Sequence, residues 1–144
     1  MTKRDWLILL LAYKGEGGSA LDPVRIQKGM FLLSKEGVIP AGEQYSFEPY
    51  HYGPYSSELR KDADRLVRQD LADSLPVSGY TWGRYRLTQE GIKYAREVIE
   101  QIGPQAARKV YEAKLAVTGK SFADLLRDIY ARFPEYAQNS VFTG

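Results

Sequence analysis

From Trp6 to Tyr13 the chain is apolar almost without interruption, which predicts a first helix over about Asp5 to Tyr13 lying inside the core. Lys14-Gly-Glu-Gly-Gly-Ser19 reads as a connector, because no strand precedes it and no Lys-Ser/Thr follows, as a phosphate-binding loop would need. Asp22-Pro23 predicts the capped start of a second helix. Its stripe is Val24, Ile26, Met30, Phe31, Leu32 and Leu33, and Gly37 closes it. After a loop marked by Pro40 and Gly42, Tyr45-Ser-Phe-Glu-Pro-Tyr50 alternates as a short strand, with Pro49 placing it at an edge. Gly53-Pro54 is expected to break that strand and lead into a third helix ending near Gln69. Its buried seam is Tyr55, Leu59, Ala63 and Leu66.

Residues 71–77 and 80–87 then read as two strands joined at Ser78-Gly79, or broken again at Gly83. Thr88 opens a helix with Ile92, Ala95, Val98, Ile99 and Ile102 as its apolar face. Gly103-Pro104 separates this helix from another over about residues 105–117. Ser121 caps a last helix, Phe122 to Phe133. This order predicts a mainly α chain with a small β component: a winged helix-turn-helix with an inserted strand and a C-terminal helical extension. The divisions are a winged-helix domain over 1–102, the extension over 103–133 and a tail over 134–144. The apolar faces of residues 105–133 either cover that domain or join two copies, and a two-fold homodimer is the expectation.

Composition narrows the chemistry. The chain of 144 residues has no cysteine and one histidine, so disulfide frameworks, thiol nucleophiles and multi-histidine metal sites are excluded. Nothing groups a nucleophile, an acid–base pair or a metal set, so the reading is a non-enzyme without a cofactor. Net charge is +2, which permits nucleic acid without arguing for it. Lys3 and Arg4 before the apolar run imitate a secretion signal. Asp5 interrupts that start and Lys14 and Glu16 occupy the cleavage region, so a cytoplasmic protein without a membrane span is expected.

Local arrangement supplies the candidate sites. In Arg84-Tyr-Arg-Leu-Thr-Gln-Glu-Gly91, Tyr85 and Leu87 alternate inward, leaving Arg84 and Arg86 either toward a phosphate backbone or simply in water. The third helix offers Ser56, Ser57, Arg60, Lys61 and Arg65 to duplex DNA. Glu58, Asp62, Asp64 and Asp70 count against it, since a groove-reading face should be clear of acids. Tyr50, His51 and Tyr52 form the alternative surface, for a protein partner, with alternation setting His51 opposite the two tyrosines. The stretch from Arg108 to Lys120 is the most basic region and reads as a solvated helical face.

Two stretches also carry a family resemblance. Arg25-Ile-Gln-Lys-Gly-Met-Phe-Leu-Leu33 resembles the Leu-Gln-Lys-Leu helix of YwgA-like small bacterial proteins and, more distantly, of Panacea (SocA-like) antitoxin domains. Phe47-Glu-Pro-Tyr-His-Tyr-Gly-Pro-Tyr-Ser-Ser-Glu-Leu59 resembles their Tyr-Gly-Pro-Tyr-Ser motif. With Tyr85-x-Leu-Thr-x-x-Gly91, similar to the last wing strand of many regulators, the resemblance spans about residues 7–102. It implies DNA-binding transcriptional or defence-system regulation, or neutralisation of a protein partner such as a toxin or nuclease. Gly29 stands where the family has a bulky residue, which points to close helix packing.

Overall fold

The structure, a computed structural model, describes residues 1–142. Helix α1 (Lys3–Ala12) starts two residues earlier than the apolar pattern indicates, because Asp5 closes a capping box. The Thr2 hydroxyl accepts from the Asp5 N–H, and the Asp5 carboxylate accepts from the Thr2 N–H at 2.9 Å. Leu7, Ile8, Leu9, Leu10 and Leu11 are all but removed from water, each burial stabilising the fold by about 1.5–3 kcal/mol. Three further helices and one strand, described below, pack against it.

Helix α2 (Pro23–Lys35) is capped by Asp22, whose carboxylate accepts from the Arg25 N–H at 2.8 Å. It crosses α1 closely at Gly29, where a Cβ would stand 2.8 Å from a Leu10 methyl. Just before α2, Leu21 exchanges both backbone hydrogen bonds with Tyr85, at 2.9 and 2.8 Å. A short 3-10 turn, Ala41–Glu43, lies in the loop that follows α2.

The expected inserted strand is a hairpin. Strand β1 (Glu48–Tyr50) pairs antiparallel with β2 (Gly53–Tyr55), and helix α3 (Ser57–Arg68) starts only after it. Gly53, at φ 86°, makes the reversal that Gly53-Pro54 was expected to use as a break. Pro49 and Pro54 oppose each other in the register. Neither has an N–H, so the pair takes a position where the ladder asks for none.

Strands β3 (Ala72–Pro76) and β4 (Gly83–Leu87) form the second antiparallel hairpin, Ala72 opposite Leu87 and Pro76 opposite Gly83. Thr88 caps α4 (Gln89–Thr118), which breaks at Gly103 (φ 79°, ψ 168°) where two helices were expected. Val110 and Val117 of α4, with Leu125 and Ile129 of α5 (Phe122–Arg132), belong to the same core as α1 and α2. Much of the apolar face over residues 105–133 is therefore turned into this core, while Tyr111 stays exposed.

Lys114 corrects the reading of a solvated basic face. It is fully buried, and its Nζ donates to the Leu10 and Leu11 carbonyls at 2.8 and 3.2 Å, capping the end of α1. Burial lowers its pKa to about 7. The expected tail is docked as far as it is described; residues 143–144 lie outside the described residues. Phe133 and Tyr136 pack edge-on against Phe31, and the Val141 N–H donates to the His51 carbonyl at 3.0 Å. Among the described residues no helix is long and apolar enough to cross a membrane.

Candidate functional site

The two stretches that carry the family resemblance meet at the start of α3. Gln27 Nε2 donates to the Ser56 carbonyl at 2.9 Å, and the Ser56 N–H donates to Gln27 Oε1 at 2.8 Å. Beside this clamp Lys28 Nζ donates to the Pro54 carbonyl at 3.0 Å. Burial lowers the Lys28 pKa to about 7, against the opposing effect of Asp22. Ser56 is 2% exposed and its hydroxyl accepts from the Leu59 N–H, so it caps α3 from inside. Of the two serines offered to a phosphate, only Ser57 is at the surface.

The acids of α3 prove to have interior or lateral partners. Asp62 is buried and accepts from the Tyr45 hydroxyl at 2.6 Å and from Arg65 at 2.9 Å. Asp64 accepts from the Tyr85 hydroxyl and meets Arg60 Nε at 3.4 Å. Glu58 pairs with Lys3 of α1 at 2.9 Å. Burial and then the Asp64 hydrogen bond push the Tyr85 pKa up to about 12; burial and Asp62 raise that of Tyr45. These phenols stay protonated and keep donating throughout the neutral range.

The middle of the outer side of α3 is basic, and the half-exposed Glu58 and Asp64 flank it with their partners. At 3.6 residues per turn, Ser57, Lys61, Arg65 and Arg68 fall within about 80° of one another, and all four are exposed. Lys61 and Arg68 have no ion-pair partner among the described residues. Arg60 points elsewhere, toward Asp64 and a groove beside Trp82. On β4, Tyr85 and Leu87 are buried while Arg84 and Arg86 are exposed, matching the alternation. Arg84 donates to the Ala20 carbonyl at 3.4 Å; Arg86 stands opposite Asp73 in the register.

The alternative surface lies at the β1–β2 tip. Tyr50 and Tyr52 are both exposed, and the Tyr50 ring stacks on His51 at 4.3 Å and on Tyr55 at 4.9 Å. His51 thus lies against Tyr50 rather than opposite it, because residues 51–52 form the turn and the alternation stops at Tyr50. Neither the Gln27–Ser56 clamp nor the tyrosine–aspartate pairs were visible as contacts in the sequence. Comparison of the chain with family models, with curated proteins and with solved structures gives no match.

Proposed function

We propose that the chain is a winged-helix protein that binds duplex DNA as a regulator in the cytoplasm, with α3 in the major groove and the β3–β4 hairpin as the wing. The observation that carries this reading is the sorting of charge on α3. Asp62, Asp64 and Glu58 are held by Tyr45, Tyr85 and Lys3, while Ser57, Lys61, Arg65 and Arg68 line the outward side. A helix entering the groove needs that clearance. The exposed Arg84 and Arg86 supply backbone contacts beside it, where they position without reading sequence. The Leu21–Tyr85 bridge adds support, because a short strand between the first two helices, paired to the last wing strand, is the winged-helix order.

Electrophoretic retention of genomic DNA fragments tests the proposal. The wild type retains fragments at low salt, Lys61→Ala/Arg68→Ala does not, and Arg108→Ala/Lys109→Ala, which removes equal charge from α4, behaves as wild type. Absence of retention by the wild type at low salt overturns it. A second reading, a protein-binding module recognising a toxin or nuclease, is favoured by the exposed Tyr50 and Tyr52 around His51 at the hairpin tip. Co-purification of one partner that is lost in Tyr50→Ala/Tyr52→Ala would establish it.

A further inference from the structure

Four of the aromatic residues that lie outside the core line a common groove. Tyr80 and Trp82 lie in the β3–β4 connection with ring centroids 4.6 Å apart; Tyr52 of the β1–β2 turn meets Phe122, the first residue of α5, edge-on at 5.4 Å. Tyr80 is 62% exposed and Tyr52 44%. Leaving rings of this size in water gives up the burial that would stabilise the fold by about 1.5–3 kcal/mol each. Both pairs line one cavity of about 570 Å³, floored by Pro23 and Val24 at the start of α2. Its size lies within the range of small-molecule sites, and its walls come from separate parts of the chain.

Among the charged side chains that line this cavity, Arg60 is the one whose acidic partner, Asp64, is not itself in the lining. Asp22 and Arg25 are bound to each other, and Arg25 also donates to the Val117 and Lys120 carbonyls, both at 2.9 Å. Arg60 lines the cavity too, its Nε 3.4 Å from Asp64 and its guanidinium beside the Tyr85 hydroxyl. A smaller cavity of about 240 Å³ shares Val24, Tyr52, Arg60 and Trp82 with the first and leads to Lys28. The site therefore combines flat apolar walls with a guanidinium at the edge.

We propose that this groove binds a planar aromatic carboxylate, its ring system against Trp82 and Tyr52 and its carboxylate on Arg60. A guanidinium accepts a carboxylate through two parallel hydrogen bonds, which a neutral amide of the same shape cannot reproduce. The ligand would join the β3–β4 connection to the β1–β2 turn and α5, tying down residues 77–82. The groove uses none of the outward residues of α3, so ligand binding and DNA retention can be read separately.

The test uses 2-naphthoate and its neutral isostere 2-naphthamide as probes, with calorimetric titration of the full chain. Wild type binds one 2-naphthoate per chain, about tenfold more tightly than 2-naphthamide, the difference expected of a charge-assisted pair. Trp82→Ala weakens both probes by about tenfold or more, as loss of an aromatic wall predicts. Arg60→Gln removes the preference for the carboxylate and leaves 2-naphthamide binding as in wild type. Tyr111→Ala, an exposed ring on α4, changes neither. Thermal unfolding checks that each variant is folded; Trp82 lies outside the core, so its replacement leaves the fold intact. No saturable binding by the wild type up to about 1 mM overturns the proposal. So does unchanged binding in Trp82→Ala, or equal affinity of the wild type for the two probes.

Discussion

Replacing Lys114 by methionine should change how stability responds to pH more than it changes stability at pH 7. The folded lysine titrates near 7, against an ordinary value of 10.5. Between those values the unfolded chain holds a proton that the folded chain has released, so stability rises with pH there. The difference amounts to a penalty on the folded state of about 4 kcal/mol at pH 7, shrinking by about 2 kcal/mol by pH 9. Lys28, lowered to the same region by burial, adds a similar increment. The wild type should therefore gain about 4 kcal/mol from pH 7 to pH 9, or about 10 °C in midpoint. Lys114→Met should gain about half of that. Its stability at pH 7 should lie within about 2 kcal/mol of wild type, because relief of the charge penalty is offset by leaving the Leu10 and Leu11 carbonyls without a donor. The tyrosines set the upper limit. The folded pKa values of Tyr45, Tyr85 and Tyr94 are raised, so their contribution is present below 10 and is lost as pH climbs past it. Urea unfolding of both proteins across this window is the assay. Parallel curves for the variant and the wild type, or a wild type indifferent to pH, would refute the reasoning.

Two further outcomes follow from packing. Gln27→Leu should cost about 1–3 kcal/mol in urea unfolding, since it strands the buried Ser56 N–H while the Ser56 carbonyl keeps the Arg60 N–H, whereas Ser56→Ala should cost only about 1 kcal/mol for the lost cap. Gly91→Ala should destabilise by about 3 kcal/mol or more, because its Cβ would stand 2.1 Å from the Leu71 carbonyl oxygen. Gly29→Ala meets a movable Leu10 methyl instead and should cost no more than about 1–2 kcal/mol in the same urea unfolding.

Local chemistry made much of this fold legible. Asp22-Pro23, Thr88 and Ser121 cap the helices they were expected to cap, because a cap needs only the next few residues. Tyr85 and Leu87 turn inward as strand alternation requires. The β1–β2 hairpin was hidden because prolines read as breaks. Two prolines that oppose each other are compatible with pairing, and that register cannot be seen from one strand. Lys114 was hidden for a similar reason: its partners lie more than a hundred positions earlier, at the end of α1. The residues of the candidate DNA face could be named from the sequence. Which of them turn outward depended on Tyr45 and Tyr85, remote in sequence from the acids they hold.

The salt dependence of duplex binding tests the DNA-binding proposal most directly. Lys61, Arg65, Arg68, Arg84 and Arg86 acting together predict a log–log slope of about −4 to −5 per chain. Lys61→Ala/Arg86→Ala should reduce its magnitude by about 2 without altering the unfolding midpoint, since both side chains are exposed. A slope near zero for the wild type, or one that the double variant leaves unchanged, would contradict the placement of DNA against α3 and the β3–β4 hairpin.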